Sequence, residues 1–393
     1  MARKRISRRH ALVLAGTAGT STIAGCFSGD DENGENETYT NGSQDQETED
    51  GDTYSVVMEP AGEVTFDKVP ETWVSYHVMY ADMAVALGQS DGFKAVLNPF
   101  FVENANEIYY DELEGVSVNT DDLVDLTGGG DWDVELFYEI DADVHLMDVD
   151  QMSNSVDVDE VVSNVSPFIG NYIRTGGGDF YHQHYELMDA FERISQLFQE
   201  EDRYEAYMEF YEDTLERIQN ELPDEDDRPS VAVLPIGADT VSGDMSGFFI
   251  DDGEGRKHLR DLGVSDALTA MEPVFHGSNL AADFDYEGLL EVDPDAIVVQ
   301  FGIYDEPDEF QEQFVDPMTD DPVGQQVAAV AEDRVYRGGS DYQGPIMHLF
   351  NLEATAMQLY PDEFGEFPGW GNVSGDQQLF DRNELTDIIH GTV

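Results

Sequence analysis

A sixteen-residue pattern occurs twice in this chain, 152 positions apart. Residues 133–148 read DVELFYEIDADVHLMD, and residues 285–300 read DYEGLLEVDPDAIVVQ. At this offset (285 − 133 = 152) five acidic positions coincide, and each copy predicts a short helix, an acidic turn and a buried strand. A shorter match, residues 87–91 (LGQSD) and 262–266 (LGVSD), occurs in the same order. The repeats predict two lobes of similar α/β build.

The segment between the two long copies is the most helical part of the chain. Over residues 185–222, apolar residues recur at helical spacing, with a charged break at residues 200–202. The second piece has about twenty residues and would form a helix of ~30 Å. We therefore predict an α/β protein with two Rossmann-like lobes, residues 54–200 and 224–393, joined by a single long linker helix over residues 201–223. One rigid connection of this kind permits only a small hinge.

The charge balance is strongly acidic. The chain has 85 Asp and Glu residues against 18 Lys and Arg, a formal net charge of −67. Five of the basic residues precede Cys26, so a chain without that leader would carry 18 − 5 = 13 basic groups and a charge of 13 − 85 = −72. Such a charge repels phosphate backbones and therefore excludes a nucleic-acid partner. Hydrophobic residues still make up 40%, enough for real cores, so the pattern is typical of a halophile's protein that folds best in strong salt.

The first 26 residues have the pattern of an export signal. A basic region with the twin-arginine pair Arg8-Arg9 precedes residues 11–25, which are weakly apolar and too short to span a bilayer. Residues 23–26 (IAGC) resemble a lipobox, so Cys26 is the expected site of lipidation, and as the only cysteine it excludes disulfides. Residues 27–53 are polar, acidic and of low complexity, which predicts a solvated tether. Together they predict an extracytoplasmic protein anchored to the outer face of the cell membrane.

Residues 54–360 resemble the cobalamin and ferric-siderophore class of ABC-transporter substrate-binding proteins. The resemblance rests on residues 69–71 (VPE), 87–88 (LG), 287–298 (EGLLEVDPDAIV), 321–323 (DPV) and 328–336 (AAVAEDRVY). Ala142 departs from it, since the class usually has a proline there. The resemblance implies a monomer without a cofactor that binds an iron chelate or a corrinoid in the cleft between its lobes. It also implies delivery of that ligand to an ABC permease, which docks on surface acids of each lobe.

Candidate ligand-binding residues follow the predicted strands, because open α/β sheets bind ligands beyond the carboxyl ends of their strands. Aromatic rings suit a flat or apolar chelate, and a histidine or arginine can pair with the acidic groups of that chelate. For Tyr76 and Tyr80, packing within the lobe is an equal alternative. For Arg174, in the glycine-rich residues 171–178, a salt bridge to a neighbouring acid is at least as good an explanation. The six candidates are Tyr76, His77, Tyr80, Arg174, Phe301 and Tyr304.

Three other interpretations stay open. A bare metal ion could be bound by histidines spread over both lobes, namely His77, His145, His182 and His276, although nothing in the sequence fixes their geometry. A cell-surface enzyme could reuse the two-lobed fold, although GxSxG, HExxH, GxGxxG and Walker motifs are missing from the sequence. A structural lipoprotein without a small ligand would have a closed, dry space between its lobes. Haem or corrinoid binding is the nearest variant of the iron-chelate hypothesis.

Overall fold

The fold is that of a two-lobed α/β protein. A computed structural model describes residues 53–127, 132–152, 157–165, 167–176 and 185–393. The predicted leader with Cys26, the tether up to residue 52, and His182 lie outside these ranges. The strands are β1 Tyr54–Met58, β2 Gly62–Phe66, β3 Trp73–Ser75, β4 Phe93–Val96, β5 Val124–Asp125, β6 Val144–Leu146, β7 Phe168–Ile169, β8 Ser230–Pro235, β9 Met245–Phe248, β10 Ser265–Asp266, β11 Val274–His276, β12 Asn279–Phe284, β13 Ala296–Gln300 and β14 Val335–Arg337. The helices are α1 Val78–Ala86, α2 Pro99–Ile108, α3 Val134–Ile140, α4 Val158–Asn164, α5 Leu187–Phe198, α6 Glu201–Glu221, α7 Lys257–Asp261, α8 Tyr286–Val292, α9 Pro307–Phe310, α10 Asp316–Asp320, α11 Ala328–Ala331, α12 Pro345–Leu359, α13 Pro361–Phe364 and α14 Arg382–His390.

The first lobe contains a five-stranded parallel sheet in the order β5-β4-β3-β6-β7. The chain winds outward from β3 to β5 and then returns to the other side of β3. This order places the topological switch point at the carboxyl ends of β3 and β6, where open α/β sheets form their ligand crevice. The hairpin of β1 and β2 forms a separate two-stranded antiparallel sheet.

The second lobe contains a seven-stranded mixed sheet. Its path is β11-β12-β9-β8-β13-β14, and β10 pairs with β8. Strands β8, β10, β13 and β14 are parallel, whereas β9, β11 and β12 join by antiparallel pairing. The parallel part repeats the build of the first lobe, as the sequence predicts.

The long repeat is confirmed, because α3 and β6 match α8 and β13 at the same offset. Asp141 and Asp293 end the two helices in the left-handed conformation, with φ of 48° and 44°. The aligned acids Asp143 and Asp295 also act alike. Asp143 accepts hydrogen bonds from the backbone N–H of Thr72 (3.0 Å), just before β3, and Asp295 accepts from Ser230 (2.8 Å), the first residue of β8. The acidic turn therefore fixes the start of the central strand in each lobe.

Two helices connect the lobes. Helix α6 is the predicted linker and spans Glu201–Glu221. Helix α12 was not predicted as a connector, yet all fifteen of its residues are buried. Its first residues, such as Ile346 and Phe350, lie in the core that contains α1, whereas Leu352 and Leu359 lie in the core of the second lobe. Helix α14 packs with α6 and α1. The core of the first lobe thus extends into the part of the chain assigned to residues 224–393, and that division stays a prediction.

Candidate ligand site between the lobes

The carboxyl ends of strands from both lobes meet at one place. In the first lobe, β3 leads to His77, and β7 leads to Arg174. Strand β4 is followed by α2, which carries Phe101 in its first turn. In the second lobe, β13 leads to Phe301 and Tyr304, and β14 leads to Asp341 and Tyr342. We call the rings of His77, Phe101, Phe301, Tyr304 and Tyr342 the interlobe ring cluster.

Tyr342 lies at the centre of the interlobe ring cluster. The His77 ring stacks on it, with centroids 4.3 Å apart and planes 18° apart. The rings of Phe101 and Phe301 lie 5.0 Å and 5.3 Å from it, and Tyr304 stacks on Phe301 at 5.7 Å. His77 and Tyr342 are only 9% and 5% exposed. Because first-lobe and second-lobe rings contact each other directly, the space between these strand ends is closed in this structure.

Arg174 lies beside the interlobe ring cluster and bridges the lobes. Its Nη1 donates to Oδ2 of Asp341 at 2.6 Å, and its Nε donates to the hydroxyl of Tyr172 at 3.1 Å. Its guanidinium carbon also lies 5.0 Å from the ring centroid of Tyr342, within cation–π range. Burial by itself would lower the pKa of Arg174, but Tyr172 and Asp341 raise it well above its ordinary value. Arg174 is therefore a permanently charged group held among aromatic rings.

His77 contributes a neutral ring. Burial lowers the pKa of His77 well below its ordinary value, and the charge of Arg174 lowers it further. The hydroxyl of Ser75, at the end of β3, donates to the backbone carbonyl of His77 at 2.6 Å and fixes the turn into α1. At neutral pH the imidazole thus acts as an aromatic surface that can also donate or accept one hydrogen bond.

Phe301 has an unusual backbone. Its φ is 64°, in the left-handed region that a bulky side chain rarely adopts. Its N–H donates to the carbonyl of Gly339 at 2.9 Å, which ties the end of β13 to the segment that follows β14. Strained conformations of this kind persist where the surrounding structure enforces them, often at binding sites. Here the conformation accompanies an aromatic ring that lies in the interlobe ring cluster.

Backbone hydrogen bonds also join the lobes beside Arg174. The N–H of Glu254 donates to Ile173 at 2.8 Å, and the N–H of Gly255 donates to Arg174 at 3.0 Å. A Cβ on Gly253 would lie 2.5 Å from the carbonyl oxygen of Arg174, so only glycine permits this approach. The segment that carries Arg174 is therefore fixed to the second lobe as well as to β7.

The structure brings four of the six predicted residues together, namely His77, Arg174, Phe301 and Tyr304. Tyr76 lies at the margin, where its ring contacts His77 at 3.8 Å and stacks on Trp132 at 5.3 Å. The hydroxyl of Tyr80 donates to the carbonyl of Asn171 (2.9 Å) and accepts from its N–H (2.7 Å). Tyr80 therefore supports the segment leading to Arg174 and lies outside the interlobe ring cluster.

Sequence reasoning missed Asp341, Tyr342, Phe101 and Trp132. Tyr342 follows β14 as Phe301 follows β13, so the rule about strand ends could have found it. Phe101 lies inside a helix, and Trp132 precedes α3, so neither position carries a signal of its own.

The described histidines among the proposed metal ligands do not converge. His145 is buried in β6 and stacks on Phe168 at 4.5 Å, whereas His276 is exposed on β11 and contacts Asp283 at 2.6 Å. In the described ranges there is no group of three or more His, Cys, Asp or Glu residues arranged to hold a metal ion.

Within the same ranges, each helix is too short or too polar to cross a bilayer.

A family model matches part of the chain. Residues 150–342 match the model of the periplasmic binding protein family, and this match includes Arg174, Phe301, Tyr304, Asp341 and Tyr342. This is the fold of a periplasmic binding protein. The resemblance to the cobalamin and ferric-siderophore class is thereby confirmed, as is the two-lobed α/β fold. A search of curated proteins found no significant match.

Solved periplasmic binding proteins match most of the chain. The iron-uptake substrate-binding protein PiuA of Streptococcus pneumoniae is 13% identical, with a TM-score of 0.56 over 79% of this chain and 99% of its own. The petrobactin-binding protein YclQ of Bacillus subtilis is 15% identical, with a TM-score of 0.57 over 78% and 97%. A protein of an Fe3+-hydroxamate transport system from Saccharomonospora viridis is 16% identical, with a TM-score of 0.52 over 78% and 98%. At these identities the likeness concerns the fold.

Proposed function

We propose that this protein is an extracytoplasmic solute-binding lipoprotein that captures an iron chelate and delivers it to an ABC permease. The predicted lipidation of Cys26 would hold it at the outer face of the membrane, and the acidic tether would give the folded part its reach. The family and the structural relatives are transport proteins that bind substrates, which supports binding without turnover. Iron chelates are named for several of those relatives.

One observation carries the proposal: rings from both lobes and a buried arginine meet at the carboxyl ends of the central strands. Stacked rings such as His77 and Tyr342 offer flat apolar surfaces that suit the organic shell of a chelate. Arg174 offers a charged donor for its oxygen atoms. For a ligand to enter, these surfaces must separate.

The proposal is tested by a binding screen of the full chain in molar KCl. The panel holds ferric hydroxamates, ferric catecholates, haem, cobalamin, and free iron, zinc and manganese. A ligand that binds only the native state at a hundred times its Kd should raise the unfolding free energy by ~2.7 kcal/mol. We expect stabilisation by at least one iron chelate. If only haem or cobalamin stabilises the protein, that compound is the ligand instead of an iron chelate. Stabilisation by free metal alone would contradict the proposal.

Two variants locate the binding site. Phe301→Ala removes a half-buried ring of the interlobe ring cluster, and the matched variant Phe364→Ala removes a half-buried ring from the second lobe, where it packs on Tyr360. We expect Phe301→Ala to weaken chelate binding at least tenfold, the equivalent of about 1.4 kcal/mol. Phe364→Ala should leave the Kd unchanged. Equal effects of both variants would place the ligand elsewhere.

The closed contact favours a second candidate, a structural lipoprotein without a small ligand. Direct stacking of His77 on Tyr342 is what that hypothesis predicts. The same screen separates the two functions, because a structural protein would unfold cooperatively with an unchanged midpoint across the whole panel.

A further inference from the structure

The ion pair beside the interlobe ring cluster leaves one oxygen unsatisfied. Asp341 is only 1% exposed, and its Oδ2 accepts from Arg174 at 2.6 Å. Its Oδ1 is buried and has no hydrogen-bond partner within the described part of the chain. A buried carboxylate oxygen without a donor is costly, so this oxygen is a place where a donor or a positive group would be stabilised.

We propose that Asp341 determines which chelates the protein accepts, favouring chelates of zero or positive net charge over anionic ones. This inference rests on the proposed function, since it concerns the ligand of the same site. An arginine at a ligand surface ordinarily attracts an anion. Here the carboxylate of Asp341 already neutralises Arg174, so an anionic chelate would have to displace that carboxylate or lie next to it.

The second arginine near this site is also paired. Arg256 is 1% exposed, and its Nη1 lies 3.4 Å from Oδ1 of Asp251. Its Nη2 donates to the side-chain oxygen of Asn279 at 3.1 Å. Each of the two guanidinium groups is therefore balanced by one aspartate, and neither offers an unpaired positive charge to an anion.

The local ion pairs decide the preference in strong salt. At 1 M salt the screening length is about 3 Å, so the many surface acids lose most of their influence on a ligand. Buried pairs are screened much less, because water and salt ions do not reach them. The charge preference should therefore persist at salt concentrations where the overall acidity of the protein no longer repels anions.

The test compares three chelates of different charge on the full chain in molar KCl. Ferrioxamine B is a cation, ferrichrome is neutral, and ferric enterobactin is a trianion. Equilibrium dialysis with radioactive iron gives a Kd for each chelate with wild-type protein, Asp341→Asn and Asp341→Glu. We expect wild type to bind the cation or the neutral chelate most tightly. Asp341→Asn should shift the ratio of cation to trianion affinity by about tenfold or more towards the trianion, and Asp341→Glu should keep the wild-type order.

The ratio of cation to trianion affinity distinguishes a role of Asp341 in specificity from a merely structural role. If Asp341 only holds the lobes together, Asp341→Asn will change all three Kd values by the same factor, which would overturn the inference. Glu353→Gln is the matched control, because Glu353 forms another buried ion pair, with Arg382, that lies outside the site. It should leave the ratio unchanged. This inference alone is refuted if wild type binds the three chelates without regard to charge or prefers the trianion. If no chelate binds, the proposed function is refuted as well.

Discussion

Asp82 should make the protein less stable as the pH rises from about 4 to 7. Its carboxyl group lies fully buried in α1, where it meets the first turn of α12. Oδ2 accepts from the N–H groups of Ile346 (2.8 Å) and Met347 (3.2 Å), and Oδ1 accepts from the hydroxyl of Tyr110 (2.7 Å). Burial raises the pKa of Asp82 to about 7, although these three hydrogen bonds oppose the shift.

The sign and size of the effect follow from proton linkage. Between the ordinary pKa of 3.8 and the folded pKa of about 7, the folded state keeps the proton of Asp82 while the unfolded state has lost it. The folded state therefore binds more protons, and stability falls as pH rises through this window. About three pH units at about 1.4 kcal/mol each give a loss of about 4 kcal/mol above pH 7, relative to a side chain that stays neutral.

The assay is urea unfolding of wild type and Asp82→Asn at fixed molar KCl, from pH 4 to pH 8.5. Asparagine has the same shape and never ionises, and its carbonyl oxygen can accept from Ile346 and Met347 while its amide donates to Tyr110. Subtracting the two stabilities at each pH removes the titration of all other groups. The advantage of Asp82→Asn over wild type should grow with pH and level off above about 7.

A difference that stays flat across this range, or that grows in the opposite direction, would refute the argument. Asp82→Ala is the control for the hydrogen bonds themselves. It leaves the three donors unpaired, so it should destabilise the protein by about 1–3 kcal/mol even at pH 4.

Three further predictions concern charge and close approach. The unfolding midpoint should rise with KCl concentration, because 85 acids face 18 basic residues; an unchanged midpoint in thermal scans would contradict this. Gly253→Ala should cost about 1–3 kcal/mol of unfolding free energy, because its Cβ would meet the carbonyl of Arg174, whereas Gly375→Ala, with open space around it, should change stability by less than about 0.5 kcal/mol. Burial would raise the pKa of Asp261, but His348 lowers it overall, so the folded state gains stability above pH 3.8 and loses it as pH falls. Asp261→Asn should therefore be less stable than wild type at pH 7, and unfolding curves at decreasing pH should show that deficit shrinking.

The sequence predicts the local structure well because its signals are local. The repeat places α3, α8 and the strands that follow them, and the turn acids Asp143 and Asp295 serve matching roles in both lobes. Helix α1 begins at Val78, directly after His77, whose extended backbone precedes the helix. The strand-end rule brings His77, Phe301 and Tyr304 to one place, and Arg174, singled out as a basic residue in a glycine-rich segment, lies beside them.

Contacts between distant segments were not predictable in this way. Asp341 matters through its ion pair with Arg174, and that pairing depends on how the two lobes meet. Helix α12 is buried on all sides although it carries polar residues such as His348, Asn351 and Glu353, so its pattern does not announce its burial or the two cores it joins. Tyr80 shows the opposite failure: its position after β3 favours a ligand contact, yet its hydroxyl is used by the backbone of Asn171.

The same contacts indicate how the site can open. Helix α12 lies in both cores and is held to α1 through Asp82, so a wide separation of the lobes would have to break a buried helix contact. The contacts at the strand ends include the ion pair of Arg174 with Asp341, two backbone hydrogen bonds, the hydroxyl contact of Tyr172 with Ser278, and ring stacking. At about 1 kcal/mol net for each neutral hydrogen bond and about 1.5–3 kcal/mol for one to a charged group, opening costs several kcal/mol. A ligand must exceed that cost, and it does so most easily when Arg174 and Asp341 can pair again once it is bound. A neutral or cationic chelate that contacts the rings and gives a donor to Oδ1 of Asp341 permits this, whereas an anion competes with the carboxylate for Arg174.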